Sequence, residues 1–469
     1  MLHVEGEKML NIQTDSRKIK PGDTFVAVRC EVNDGHKYIE SAIKNGAKKI
    51  VVEHQDKDYD VETLVVPDTR KYITDYLHEH YHSFLEEMNL IGITGTNGKT
   101  TTAYLIYDAF NKLGVKCGYI GTIGFYLDRK VTNLPNTSVD ICDTYDLIMQ
   151  AYDAGYRTLI MEVSSHALAN HRLEGITYQM ALFTNLTEDH LDFHKTMEGY
   201  ALAKQALFTK VRENGCAIIN ADDDYKDYFL LEQNRNITYG FAKNCDYQIT
   251  SYQMNNHKSI FTYCHAGKKY NIHVNMIGKY NIYNSLLAII VLSESGIDEE
   301  QITEVFTKLS FPPGRMDTVV YGTNSIIVDY AHTPDALQKI IETVKPITQG
   351  HVYTVFGCTG DRERLKRPIM SQIATSLSDY VIMTIDDPHN ENISQIMDDM
   401  TKDLHAKNYE IIVDRGDAIE KAISLLEEND TLLILGKGHE EVIIMKDRRI
   451  PFNDKEFVQK CIEKNTINN

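Results

Sequence analysis

The sequence predicts an α/β protein of three units in series: a small α/β unit at 1–88, a central unit with a mostly parallel sheet at 89–312, and a Rossmann-like unit at 313–469. Three observations carry this. At 469 residues, ordinary domain sizes give roughly three domains. Short apolar runs of strand length alternate with stretches of helical spacing, the pattern of strands joined by crossover helices. Near residue 89 an apolar run passes into Gly92-Ile93-Thr94-Gly95-Thr96-Asn97-Gly98-Lys99-Thr100-Thr101-Thr102 and then into a helical pattern closed by Gly114. That order, strand, glycine loop, Lys-Thr, helix, turns backbone N–H groups and a helix N-terminus toward an anion. The lysine then reaches terminal phosphates and a hydroxyl ligates Mg²⁺. The strict spacing wants glycine at 93, where Ile93 stands between Gly92 and Gly95, so the loop is a variant.

In the first unit, residues 24–28 and 49–52 read as strands and 38–45 as a helix closed by Gly46. Asp15-Ser16-Arg17 and Asn33-Asp34-Gly35-His36 are polar groups near strand ends, suited to turns or to a polar ligand. In the second, residues 157–163 are an apolar run delivering Glu162, either a metal-holding carboxylate or an edge-strand acid facing water. Residues 180–185 form another strand, which runs into Glu188-Asp189-His190-Leu191-Asp192-Phe193-His194. That cluster fits a cation site and a solvated helix start equally. Lys204 lies on a helical stretch, 200–208, where spacing alone reads a surface lysine. Residues 237–276 alternate like strands and are expected to form an antiparallel excursion. In the third unit four apolar runs end in polar groups: Asp329-Tyr330, Cys358-Thr359-Gly360-Asp361-Arg362, Asp386-Asp387-Pro388-His389 and Gly436-Lys437-Gly438-His439-Glu440. In doubly wound sheets this edge is the ligand crevice.

Composition narrows the function. A formal net charge of −18 argues against nucleic-acid or membrane-surface binding, and an anionic ligand would need local basic groups. Eight scattered cysteines show no Cys-x-x-Cys pair or metal spacing, the usage expected of reduced thiols in a cytoplasmic protein. The first seven residues show no apolar signal region, and no apolar run approaches the length of a membrane span.

The motifs, taken together, resemble one family, the Mur ligases of peptidoglycan synthesis, and within it the MurE-type branch that adds the third stem-peptide residue. The matching segments run through nearly the whole chain: Asp15-Ser16-Arg17 with Pro21-Gly22-Asp23, Gly95 to Thr100, Asn136-Thr137-Ser138, Glu162-Val163-Ser164-Ser165-His166, Thr184-Asn185-Leu186-Thr187, Asp189-His190-Leu191-Asp192, Gly314-Arg315-Met316, Asp329-Tyr330-Ala331-His332-Thr333-Pro334-Asp335, Gly360-Asp361-Arg362 and Gly436 to Glu440. The resemblance implies a UDP-binding N-terminal domain, a central ATPase and a C-terminal domain that brings the amino acid. It implies ATP, two Mg²⁺ ions and a CO₂-derived carbamate on Lys204 (N6-carboxylysine). Lys99 would contact the ATP phosphates, with Gly95, Thr96, Asn97, Gly98, Thr100 and Thr101 as the loop. Thr100 and Glu162 would hold one Mg²⁺, and His190 with carbamylated Lys204 the second. Asn281, Asn284, Arg315, Asp329 and His332 would contact nucleotide. Thr14, Ser16, Glu31 and Asn33 would face the uridine end, and Asn136, Thr137, Ser138, Ser164, Asn170 and Arg172 the muramoyl dipeptide. The substrates implied are UDP-MurNAc-L-Ala-D-Glu and a free amino acid, the state a monomer.

Arg362, Asp386, Asp387, His389, Gly436 and Glu440 would line the amino-acid pocket, where the sequence departs from the family. Relatives that take meso-diaminopimelate usually read Asp-Asn-Pro-Arg, whose arginine pairs with a distal carboxylate. Here the segment is Asp386-Asp387-Pro388-His389. With Asp387 expected to attract a distal ammonium, L-lysine or ornithine is favoured over diaminopimelate. Protonated His389 would argue the other way. Thr359 also stands where the family usually has glycine. The alternatives are another amide ligase of the superfamily, such as one acting on folate, and a nucleotide-binding paralogue without catalysis.

Overall fold

The computed structural model describes residues 10–29, 34–254, 258–309 and 311–468. Three large sheets and a two-stranded hairpin follow one another along the chain.

The first sheet has four parallel strands in chain order, Ile12–Gln13, Thr24–Val26, Lys49–Val52 and Glu62–Val65. Alternation along the strands feeds two faces. Phe25, Ile50 and Val52 pack against Ile39 and Ala42 of helix Ile39–Lys44. Val26 and Val51 join Ile73 and Leu77 of helix Thr69–Glu87. Asp68 caps that helix through the N–H groups of Arg70 and Lys71. This second core is continuous with residues of the central unit, among them Leu90, Phe125, Tyr145 and Tyr178.

The central sheet has eleven strands. Strand Asn89–Thr94 lies inside it, paired in parallel with Thr158–Glu162 on one side and Tyr178–Phe183 on the other. Ile93 is in register with Glu162, and Thr94 with Phe183, so three strand ends open at one edge. The expected antiparallel excursion is only partly so. Strands Val211–Asn220, Arg235–Gly240 and Tyr247–Met254 continue the sheet in parallel, and within this stretch only Ser259–His265 is reversed, pairing antiparallel with Tyr247–Met254 and with Lys268–Val274. Helices Lys99–Lys112 and Lys279–Glu294 pack together over one face. The second is buried from Ile282 to Leu292 apart from Tyr283, which is why its apolar residues show no clear stripe.

The third sheet runs Asp317–Tyr321, Asn324–Asp329, Thr431–Leu435, Val352–Cys358, Tyr380–Ile385, Tyr409–Ile411, with only the first strand antiparallel. Helices Pro334–Val344, Lys366–Leu377 and Ile393–Thr401 cover one face, and Arg415–Ser424 with Asp454–Asn468 the other. The late strand Thr431–Leu435 inserts between two earlier ones, so the four polar strand ends share one edge. No described helix is long and apolar enough to cross a membrane.

Candidate functional site

The glycine loop sits where the three central strand ends open. Gly98 has φ +86°, and a Cβ there would lie 2.5 Å from Asn284 Oδ1; one at Gly95 would meet Thr184 Oγ1. Only glycine lets the backbone approach so closely. Thr96 and Asn97 are tied to the next strand end. Thr187 N donates to Thr96 Oγ1 (3.0 Å), and Asn97 N to Asn185 Oδ1 (3.0 Å). Lys99 folds back, its Nζ donating to Gly95 O (2.8 Å) and Thr96 O (2.9 Å). Thr100 and Thr101 open the helix, both buried.

Glu162 is 2 % exposed at its strand end. Thr100 Oγ1 donates to its Oε2 (2.9 Å), as does Thr122 Oγ1 (3.0 Å), while Thr122 N (3.1 Å) and Tyr119 OH donate to Oε1. The strand end is therefore interior, not an edge facing water. Thr100 Oγ1 and the Glu162 carboxylate are adjoining hard oxygen donors of the kind Mg²⁺ takes.

Lys204 is not a surface residue. It is 1 % exposed on helix Met197–Gln205, and its Nζ donates to Gly95 O (2.8 Å) over the Tyr200 ring (4.5 Å). Burial, then the nearby Lys99 ammonium, pushes its pKa well below the usual lysine value. His190 lies beside it in a left-handed turn (φ 56°), with Nε2 3.4 Å from Asp189 Oδ2 and its ring against His166. Burial lowers its pKa to about 4, leaving a neutral imidazole able to ligate. The cluster opens the short helix Leu191–His194, with Glu188 and Asp192 exposed and Asp189 and His190 half-buried beside Lys204.

The third unit reaches into this centre. Arg315 Nη2 donates to Thr100 Oγ1 (3.4 Å), and its guanidinium lies 4.6 Å from the centre of the Tyr330 ring. Its Nε is buried without a hydrogen-bond partner. Asn97 Nδ2 donates to Asp335 Oδ2 (2.9 Å), and Lys366 Nζ to His332 O (3.2 Å). Burial lowers the His332 pKa to about 4. Asp329, Asn281 and Asn284 are turned to internal partners: Asp329 accepts from the N–H groups of Met316 and Ala331, Asn284 Nδ2 donates to Asn281 Oδ1, and Asn281 Nδ2 donates to Ile277 O.

On the opposite flank Ser138 Oγ donates to Glu162 O (2.9 Å) and accepts from Ser164 N (3.0 Å). Arg172 Nη1 donates to Ser138 O (3.4 Å), Thr137 Oγ1 lies 3.0 Å from Thr122 Oγ1, and Asn170 Nδ2 donates to His166 O. Asn136 is exposed beside them. Ser16 is buried in the first unit, and Thr14 Oγ1 bridges to Asp140 Oδ2 (2.9 Å). Glu31 and Asn33 lie outside the described residues.

At the far strand ends, Asp387 does not stand free to meet a ligand ammonium, as the sequence led us to expect. Its Oδ1 accepts from Lys437 Nζ (2.8 Å) and from Ile444 N (2.9 Å). Lys437 is fully buried and also donates to Glu440 Oε2 (2.7 Å), with Asp386 at 3.7 Å. Against the cost of burial, Asp386, Glu440 and Asp387 raise its pKa and keep it charged. Lys437 had been given no role from the sequence, although its place between two strand-end glycines was the available signal. Gly436 packs on the Asp386 carboxylate, His389 is in a left-handed turn (φ 50°), and Arg362 is exposed. Arg415 pins this edge from behind. It makes a fully buried ion pair with Asp454 (2.7 Å) and donates to the carbonyls of Ile385 and Leu435, which precede Asp386 and Gly436.

The loop, the acids and the histidines suit a nucleotide and divalent cations. Three family profiles match the chain in series: Mur ligase family, catalytic domain, over 8–84; Mur ligase middle domain over 93–292; and Mur ligase, glutamate ligase domain, over 314–438. A UDP-N-acetylmuramoyl-L-alanyl-D-glutamate–2,6-diaminopimelate ligase of Clostridium tetani is 39 % identical over 461 residues, covering 97 % of this chain and 94 % of that one. The like-named protein of Clostridium botulinum is 39 % identical over 460 residues, covering 96 % and 95 %. A solved structure bearing the same enzyme name superposes with a TM-score of 0.68 at 30 % identity, over 97 % of this chain and 95 % of that one.

Proposed function

The chain belongs to the Mur ligase family, ATP-dependent amide ligases, and from that premise we propose that it joins an amino acid to UDP-MurNAc-L-Ala-D-Glu as the third stem residue. A carboxylate is a poor acyl donor at neutral pH. Transfer of the ATP γ-phosphoryl group to the D-glutamyl carboxylate makes an acyl phosphate, and attack by the amine then releases phosphate and leaves an amide. Negative charge builds in both steps. Lys99, Arg315 and the loop N–H groups would meet it on the nucleotide side, supported by the Arg315 contact with Thr100 beside the loop. Bound Mg²⁺, which Thr100, Glu162 and His190 would hold, would supply further charge stabilisation. Lys204 fits the carbamate reading. Burial that lowers the pKa raises the neutral fraction of the amine, and only a neutral amine adds CO₂. The carbamate would then be an anion beside Lys99. The observation that carries the proposal is the convergence of Lys99, Thr100, Glu162, Lys204 and Arg315 from two sheets on one loop.

For the acceptor we propose 2,6-diaminopimelate, which the relatives' names specify. The Asp387 Oδ1 is taken up by Lys437 Nζ and Ile444 N, so it does not stand free to receive a distal ammonium. L-lysine is the second reading, favoured by His389 standing where diaminopimelate ligases usually have arginine. The proposed setting is the cytoplasm. Phosphate release with ATP, Mg²⁺, UDP-MurNAc-L-Ala-D-Glu and each amino acid in turn tests both points. Diaminopimelate giving the highest kcat/KM supports the first reading, lysine the second, and silence across the panel refutes the ligase step.

A further inference from the structure

An amine reaches the active site at neutral pH as an ammonium ion, which has no free electron pair. A base must take a proton before nitrogen can attack. We propose that the Glu440 carboxylate is that base. The inference rests on the ligase reading above and deepens it.

Three acids gather at the strand ends of the third sheet, with ligand atoms of Asp386, Asp387 and Glu440 within 4.8 Å of one another. Lys437 sits among them as a permanent counter-ion. The three are not equivalent. The side chains of Asp386 and Asp387 are 4 % and 8 % exposed, whereas that of Glu440 is 28 % exposed. Asp387 is further committed to Ile444 N. Glu440 holds Lys437 with Oε2, and its Oε1 has only a long contact, 3.3 Å, from Tyr330 OH, which an incoming N–H can replace. Tyr330 in turn carries the Arg315 guanidinium, whose Nη2 reaches Thr100 beside the glycine loop. A continuous line of side chains thus joins the phosphate end of the site to Glu440.

The charged groups around Glu440 are Lys437, Asp386, Asp387 and, from the helix behind, Arg415. Burial and the two aspartates raise its pKa, Lys437 opposes them, and the result is about 7. Compared with an ordinary glutamate near 4.3, a pKa of about 7 lowers the cost of taking a proton from the amine by roughly 2.5 pKa units. In the step, the N–H proton passes to Glu440 Oε1 and its bonding pair stays on nitrogen. Nitrogen forms the C–N bond to the acyl carbon, its second surplus proton passes to a phosphate oxygen, the bond from that carbon to the bridging oxygen breaks, and inorganic phosphate leaves with the pair of the broken bond. The proton then leaves Glu440 through its exposed edge.

The test compares full-length enzyme with Glu440→Gln, using two nucleophiles. The amino acid must lose a proton, while hydroxylamine is already neutral at pH 7.5 and converts acyl phosphates to hydroxamates. The variant should form hydroxamate within about threefold of the parent but form amide about 100-fold or more slowly. Its residual amide rate should climb with pH where the parent's levels off. Equal loss with both nucleophiles, parental amide formation, or a raised acceptor KM with unchanged kcat would each overturn the assignment. Hydroxamate from the variant also certifies its fold. A parent that makes no hydroxamate fails the ligase reading instead.

Discussion

Lys99 and Lys204, far apart in sequence, share one acceptor: the carbonyl oxygen of Gly95 takes a 2.8 Å hydrogen bond from each ammonium nitrogen. Two full charges so close on one oxygen are unfavourable, and burial lowers the pKa of both, that of Lys204 further. Lys204→Ala should nearly abolish ligation, and added bicarbonate should restore CO₂-depleted parent enzyme but not the variant. A variant with full activity would refute the carbamate.

The same burial gives a pH signature. The folded-state pKa of Lys204 lies below its unfolded value, so folding expels a proton and protonation works against the native state. The penalty is complete below the folded pKa and vanishes above the unfolded one, near 10.4. In CO₂-depleted buffer, Lys204→Met should therefore compare best with the parent near neutral pH and lose that advantage as pH approaches 10. Paired thermal melts across this range check the slope.

Glu162 collects two hydroxyls and a backbone N–H besides Tyr119, so Glu162→Gln keeps its size while halving its acceptors. Expected is a folded protein whose hydroxamate yield from the first half-reaction falls by about 100-fold or more. Circular dichroism alongside the assay separates this from unfolding.

Arg315 stacks on Tyr330 while reaching Thr100, a combination that depends on a flat guanidinium. Arg315→Lys should lower kcat at least tenfold with a smaller change in the KM for the acceptor. Steady-state kinetics with each substrate varied in turn will show it.

The Arg415–Asp454 pair is fully buried on both sides. Removing one partner strands the other charge, so Asp454→Asn should cost about 3–5 kcal/mol, whereas replacing both by apolar residues should cost much less. Urea unfolding of the parent and the two variants measures the difference.

Sequence periodicity exposed the strands of the third unit well, because each is a continuous apolar run with a polar end. Glu162 was readable for the same reason. Lys204 was not, since its burial comes from Gly95, 109 residues away, and helical spacing carries no trace of that. Asp387 was misjudged for a like reason: its partner Lys437 lies 50 residues on. Helix Thr69–Glu87 escaped notice because only Thr69, Ile73, Leu77 and Leu85 are buried in nineteen residues. The parallel strands near residue 240 were hidden because an alternating pattern reports a strand but not its direction.

Leu10, Ile12, Val26 and Val51 belong to the same apolar cluster as Leu90, Phe125 and Tyr178, while the clusters of the third sheet draw almost wholly on its own residues. Three sheets therefore make two cooperative bodies. On heating, the first two should lose structure in one endotherm, and the third, tied to them through polar pairs such as Asn97–Asp335, in another of its own.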